Sequence, residues 1–145
     1  IIMEKVENAI VDFKGGLHCS QCVLAAFSDE LGLDKEMALK ISSGFGGGMC
    51  GGDICGAVTG AVMALGLKYG NSRADDKISK EKAYEVTRAF CKEFKKINGS
   101  ITCRELLGID FAKKENRVIA REKGLFKEKC PKYVGDAIKI LEKFL

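Results

Sequence analysis

Residues 43–60 read SGFGGGMCGGDICGAVTG. Six glycines fall between Gly44 and Gly52, interrupted by Cys50 and followed by Cys55. Glycine gives up more backbone freedom on folding than any other residue, so such a run marks a place where the backbone itself is required. Past the run, Asp53 reads as the N-cap of a helix extending to about Lys68. That segment places small residues at Gly56, Ala57, Gly60, Ala61 and Ala64, and most of its other positions are Val, Ile, Met or Leu. A helix apolar on all sides belongs inside a fold. The stretch therefore predicts a glycine-rich loop leading into a buried central helix.

Outward from this helix the spacing remains helical. Met3 to Lys14 carries Val6, Ile10 and Phe13 on one side and ends at Gly15-Gly16. A second helix is expected from about Ser20 to Leu31, closed by Gly32. Asp34 caps a third, with Met37 and Ile41 on its inner face. A polar linker, Gly70 to Lys77, precedes a long helix from Ser79 to about Ile97, whose apolar face is Ala83, Tyr84, Val86, Phe90, Cys91, Phe94 and Ile97. Thr102 and Glu105 have capping-box spacing before a short helix that ends at Gly108. Another helix starts near Asp110 and closes at Gly124. Pro131, the one proline, suits the first turn of a last helix with Val134, Ala137, Ile138 and Leu141 as its stripe. The expected fold is an all-α, single-domain helical bundle of about six to eight helices over residues 1–145.

Composition excludes several function classes. Lys and Arg number 24 against 20 Asp and Glu, a net charge of +4 spread among Lys/Glu neighbours. No basic stripe is interleaved with aromatics, so no nucleic-acid partner is expected. The basic segment Lys113 to Lys129 reads as a solvated helix face. No apolar run reaches the roughly 20 residues a membrane span needs. No signal-peptide pattern is visible, and the expected location is the cytoplasm.

Seven cysteines are unusual for such a chain, and an odd number cannot all pair internally. Clustered cysteines outside a secreted scaffold point to metal or redox chemistry. Cys19, Cys55, Cys103 and Cys130 fall at or near expected helix N-termini. Free backbone N–H groups and the positive end of the helix dipole favour thiolate there. Cys91 falls on an apolar face and reads as core. Cys22 makes a CxxC with Cys19 but lacks the preceding strand of a thioredoxin-type motif. Cys50 lies in the glycine loop as an extra ligand or a resolving thiol. His18, the one histidine, precedes Cys19. The glycine loop itself has three readings: backbone N–H groups aimed at sulfur, an anion cradle without the P-loop ending, or a steric allowance for a tight crossing.

The segments SGFGGGMCGGDICGAVTGAVMALGLKYG, TCRELLGID and GLFKEKCPKYVGDAIKIL together resemble the redox-active protein family named for its C_GCAxxG_C_C motif. The resemblance runs from about Cys19 to Leu141, and Cys55 to Gly60 reads Cys-Gly-Ala-x-x-Gly. It carries the family's cysteines onto Cys19, Cys55, Cys103 and Cys130, the four that the cap argument selects. It implies a bound prosthetic group and an oxidoreductase or transporter partner.

Two functions are therefore expected as alternatives. In the first, Cys19, Cys55, Cys103 and Cys130 hold an iron–sulfur cluster or zinc, or cycle as thiols with Cys55 attacking at low pKa and Cys50 resolving. In the second, the chain is a non-catalytic helical adaptor with structural cysteines. The small-residue central helix is compatible with a homo-oligomer and equally with burial inside one chain.

Overall fold

A computed structural model describes all 145 residues, Ile1–Leu145. Eight α-helices follow one another: α1 (Ile2–Lys14), α2 (Cys19–Ser28), α3 (Lys35–Ser42), α4 (Gly56–Tyr69), α5 (Lys77–Asn98), α6 (Cys103–Leu107), α7 (Lys114–Glu122) and α8 (Leu125–Glu142). The one departure from helix and turn is an isolated antiparallel bridge between Ile54 and Thr102. The fold is all-α, and α4 is its central helix, packed by α2, α5 and α8.

The small face of α4 explains how close its neighbours come. A Cβ on Gly60 would stand 2.6 Å from the Ser20 carbonyl oxygen, and one on Gly56 would collide with the Cys19 sulfur. Glycine at these two positions lets the first turn of α2 lie directly on α4. Ser20 and Gln21, polar residues of α2, are buried in this contact yet satisfied. The Ser20 hydroxyl donates to the Ser42 carbonyl at 2.8 Å, and Gln21 Nε2 donates to the Leu39 carbonyl at 2.9 Å. These bonds tie α3 to α2, so the buried side of α3 is Ala38 and Ser42. Met37 and Ile41, expected inside, are exposed, because the polar anchors let only small residues reach α2.

The apolar core is continuous behind this contact. Phe27, Phe90 and Phe94 are fully buried, and the Phe90 and Phe94 rings lie 6.2 Å apart. On α5 the buried positions are Val86, Phe90 and Phe94. Tyr84 and Ile97, assigned to that face by spacing, lie at its margins and are exposed. The stripe of α8 is buried as its spacing predicts, at Val134, Ala137, Ile138 and Leu141.

Two boundaries differ from expectation in ways that matter for the cysteines. Asp53 does not cap α4; residues 53–55 are extended and paired to residues 101–103, so Cys55 takes the N-cap position. Pro131 is not at a helix start, because α8 begins at Leu125, after Gly124 in the left-handed conformation (φ 65°). The proline is accommodated in the interior of α8, and Cys130 consequently lies mid-helix.

Candidate functional site

The glycine run forms a 3-10 turn at Ser43–Phe45 and a π-type turn at Gly48–Gly52. Four consecutive residues, Gly47, Gly48, Met49 and Cys50, have φ near +60°. Glycine occupies this region freely, whereas Met49 and Cys50 carry a cost of about 1–2 kcal/mol each. The left-handed turn brings the segment back over the start of α2. Met49 is exposed, so Met49→Gly removes strain without removing packing. We expect it to raise stability by up to about 1 kcal/mol in urea unfolding.

Next, the 53–55 segment pairs with 101–103. The Cys55 N–H donates to the Ile101 carbonyl at 2.8 Å, and the Cys103 N–H donates to the Asp53 carbonyl at 2.6 Å. Side chains alternate along extended backbone, so Cys55 and Cys103 fall on the same side of this bridge. Ser100 braces the turn: its hydroxyl donates to Glu105 at 2.7 Å and accepts the Thr102 N–H at 3.0 Å. The expected Thr102–Glu105 capping box is thus replaced by a Ser100–Glu105 bond, because Thr102 is turned into the bridge. Asp53 pairs at the surface with Arg104, 3.3 Å away.

Cys19 opens α2, Cys55 caps α4, Cys103 opens α6, and Cys130 sits on α8 beside Leu107 and Phe111. All four are buried. The structure gathers them into one neighbourhood, close enough that a charge on Cys19 raises the pKa of Cys55, Cys103 and Cys130. Tyr133 adjoins the same group: burial first, then the charges of Cys130, Cys55 and Cys103, push its phenol up. Its hydroxyl donates to the Leu106 carbonyl at 2.9 Å.

The four thiols are not equivalent. Cys19 is lowered to about 7, chiefly by a hydrogen bond from the Cys55 thiol, with further help from the backbone N–H groups of Gly47, Ser20 and Cys19 itself. These donors outweigh the burial that opposes ionisation. Cys55 is pushed well up, first by donating to the Cys19 thiolate and then by burial. Low pKa was expected of Cys55; it belongs to Cys19, because one proton is shared by the pair and the glycine-turn amide faces Cys19. Burial raises Cys103 to about 12 and Cys130 further. Cys130 has no helix N-terminus beside it to counter that burial.

The remaining candidates divide clearly. Cys22 is buried in the core, raised to about 12 mainly by burial. Cys91 is half-buried, and burial raises it too. Cys50 is exposed on the left-handed turn. It shares a cavity of about 420 Å³ with Cys19. His18 also lines that cavity, its ring packed on Gly46. The Gly47 amide is a loop donor of the kind the glycine run suggested, whereas nothing in the spacing singled out Tyr133 as a member of the site.

No three or more His, Cys, Asp or Glu side chains are arranged to bind a metal ion at a common point. The arrangement that Cys19 and Cys55 present is a sulfur of lowered pKa beside a neighbouring thiol that is held protonated.

The family model described as "Putative redox-active protein (C_GCAxxG_C_C)" matches residues 17–144. The chain belongs to this family. No curated protein and no solved structure matches it. In this member of the C_GCAxxG_C_C family the matched region contains all seven cysteines, every cavity-lining residue except Phe13, Lys14 and Gly16, and every helix from α2 to α8. No helix is long and apolar enough to cross a membrane.

Proposed function

We propose that the protein performs thiol–disulfide redox chemistry, with Cys19 as the attacking thiolate and Cys55 as its exchange partner. The observation that carries this reading is the close placement of the two residues: Cys55 caps α4 and the Cys19 sulfur lies against Gly56, the next residue, with Cys19 lowered to about 7 chiefly by Cys55. A thiolate at neutral pH is the form that attacks a disulfide. Cys19 also lines the open cavity, so a substrate sulfur has a route to it. Oxidation removes two electrons and the shared proton, and forms a bond between the Cys19 and Cys55 sulfurs. Reduction by an oxidoreductase partner reverses this. The chain acts as one domain over residues 1–145 in this account.

Cys103, Cys130 and Tyr133 form the buried wall behind the pair. Their role is to keep water from the shared proton and to hold α6 and α8 against it. Cys50 is a second, exposed thiol at the cavity mouth and is not needed for the couple.

The test is a redox titration of anaerobically purified protein in dithiothreitol buffers. We expect one two-electron transition per chain, lost in Cys19→Ser and in Cys55→Ser and kept in Cys50→Ser. Loss in Cys50→Ser with retention in Cys55→Ser would replace Cys55 by Cys50. Stoichiometric iron with sulfide, or stoichiometric zinc, with no dithiol transition would overturn the proposal in favour of a metal centre.

A further inference from the structure

The cavity above Cys19 has a charge pattern that the thiol chemistry does not explain. Lys14 at the end of α1, Arg117 and Arg121 on α7, and Lys127 on α8 all line it. No Asp or Glu lines it. None of the four cations is in an ion pair, although eight ion pairs form elsewhere on the molecule. Arg117 and Arg121 stand one turn apart on the same face, an arrangement that like-charge repulsion disfavours. Arg117 is also fixed in place, its Nη1 donating to the Phe111 and Ala112 carbonyls at 3.2 and 2.8 Å.

Between the cations the wall is aromatic. Phe111 and Phe126 meet edge to face with centroids 5.4 Å apart, and Phe13 packs against the same apolar cluster and also lines the cavity. A volume of about 420 Å³ suits a small molecule and is too small for a folded partner. Cationic groups, an apolar wall and a reactive sulfur at one mouth define a ligand with three parts: an anionic group, a short apolar body and a sulfur–sulfur bond.

We propose that this cavity binds the substrate of Cys19, a low-molecular-weight disulfide that carries carboxylate or phosphate groups. This inference rests on the thiol–disulfide reading of Cys19 and Cys55. In the first step the Cys19 thiolate attacks one sulfur of the bound disulfide. A bond forms between them, the substrate S–S bond breaks, and the other half leaves as a thiolate. In the second step Cys55, its proton taken by the thiolate released in the first step, attacks the Cys19 sulfur and expels the second half as a thiolate. The protein gives up the two electrons that the substrate gains: one S–S bond breaks in the substrate, one forms in the protein, and the substrate leaves as two thiols. The cations hold the anionic groups of the bound disulfide and stabilise the negative charge on the sulfur that leaves in each step.

Three probes with the same reacting bond and different charge separate the contributions: 3,3′-dithiodipropionate (a dianion), bis(2-hydroxyethyl) disulfide (neutral) and cystamine (a dication). Rates of Cys19 oxidation by each are measured on the reduced full chain and divided by the rates for free dithiothreitol. We expect the dianion to lead the neutral probe by about tenfold or more and the dication to trail it, a spread typical of electrostatic steering into a charged cleft. Arg121→Gln combined with Lys127→Gln, both at exposed positions, should erase most of that spread, as should 0.5 M salt. Equal normalised rates for all three probes, with Cys19 oxidised in each case, would overturn the anion preference and leave the thiol reading standing. A spread unchanged in the double variant would overturn the assignment of these cations. Failure of every probe to oxidise Cys19 would overturn both.

Discussion

Cys55→Ala is expected to quiet Cys19. In the native protein the Cys19 sulfur is lowered to about 7 mainly by the proton it receives from Cys55, against a burial that acts the other way. Alanine removes the donor and leaves the burial, so the thiolate becomes the minority form at neutral pH. Lower thiolate fraction cuts the alkylation rate, and the higher intrinsic nucleophilicity of a more basic sulfur restores part of it. The net effect expected at pH 6 is a fall of about tenfold in the iodoacetamide rate at Cys19. Cys55→Ser keeps a hydroxyl donor and should lose less. The pH profile carries the sign: in the wild-type chain, reactivity falls tenfold per unit as pH drops below about 7 and levels off above it. In Cys55→Ala that break moves to higher pH. Cys22 and Cys103, raised to about 12, should label about a hundredfold or more behind Cys19 in the folded protein. Peptide-resolved mass spectrometry reads each cysteine separately.

Gly60→Ala should produce the largest loss of stability among single-methyl additions on α4. Its Cβ would meet backbone, the Ser20 carbonyl at 2.6 Å, and backbone cannot rotate away. Helices α2 and α4 would have to separate, disturbing the Ser20–Ser42 and Gln21–Leu39 bonds as well. Overpacking of this kind costs about 1–3 kcal/mol, and the better helix propensity of alanine returns less than about 1 kcal/mol. A net loss of about 2 kcal/mol lowers Tm by roughly 5–8 °C for a chain of this size. Gly66→Ala is the matched control: the same helix, an exposed position and nothing within 4 Å of the added carbon. There the propensity gain stands alone and stability should rise. Both are measured by thermal unfolding in reductant. If Gly60→Ala matched Gly66→Ala, the close α2–α4 crossing would be wrong.

The same close crossing governs the chemistry. Because α2 rests on Gly56 and Gly60, the Cys19 sulfur sits over the N-terminus of α4 and within reach of Cys55. The left-handed turn at Gly47–Cys50 then brings the Gly47 amide to the same sulfur. The glycine-rich stretch serves two of the three purposes its sequence suggested: donors aimed at sulfur and room for a tight helix crossing.

Period and punctuation made most of the helices legible. The all-apolar stretch after Cys55 specified a central helix, and the α8 stripe could be read position by position. Misreadings arose where a long-range contact outweighed local preference. Asp53 has the chemistry of a cap, yet pairing with residues 101–103 holds it in extended backbone and moves the cap to Cys55. Pro131 has the chemistry of a first turn, yet α8 starts six residues earlier, after a left-handed Gly124. Met37 and Ile41 lie on the apolar side of α3 by spacing, but buried Ser20 and Gln21 bond the α3 backbone on its other side. Helix starts selected Cys19, Cys55 and Cys103, while the ranking of their acidities depended on who donates to whom. The basic cavity was hidden for a related reason: Arg117, Arg121 and Lys127 looked like an ordinary solvated face, and only the fold brings Lys14 and Cys19 into the same cavity with them.

Peptide mapping of the oxidised chain tests the central claim most directly. Reduced, metal-free protein is oxidised with one equivalent of disulfide and digested with trypsin, which places Cys19 and Cys22 in residues 15–35 and Cys50 and Cys55 in residues 41–68. Fragmentation of the linked pair then identifies the two sulfurs. The account predicts a Cys19–Cys55 bond. A bond from Cys19 to any other cysteine, or an oxidised product in which Cys19 remains a free thiol, would contradict it.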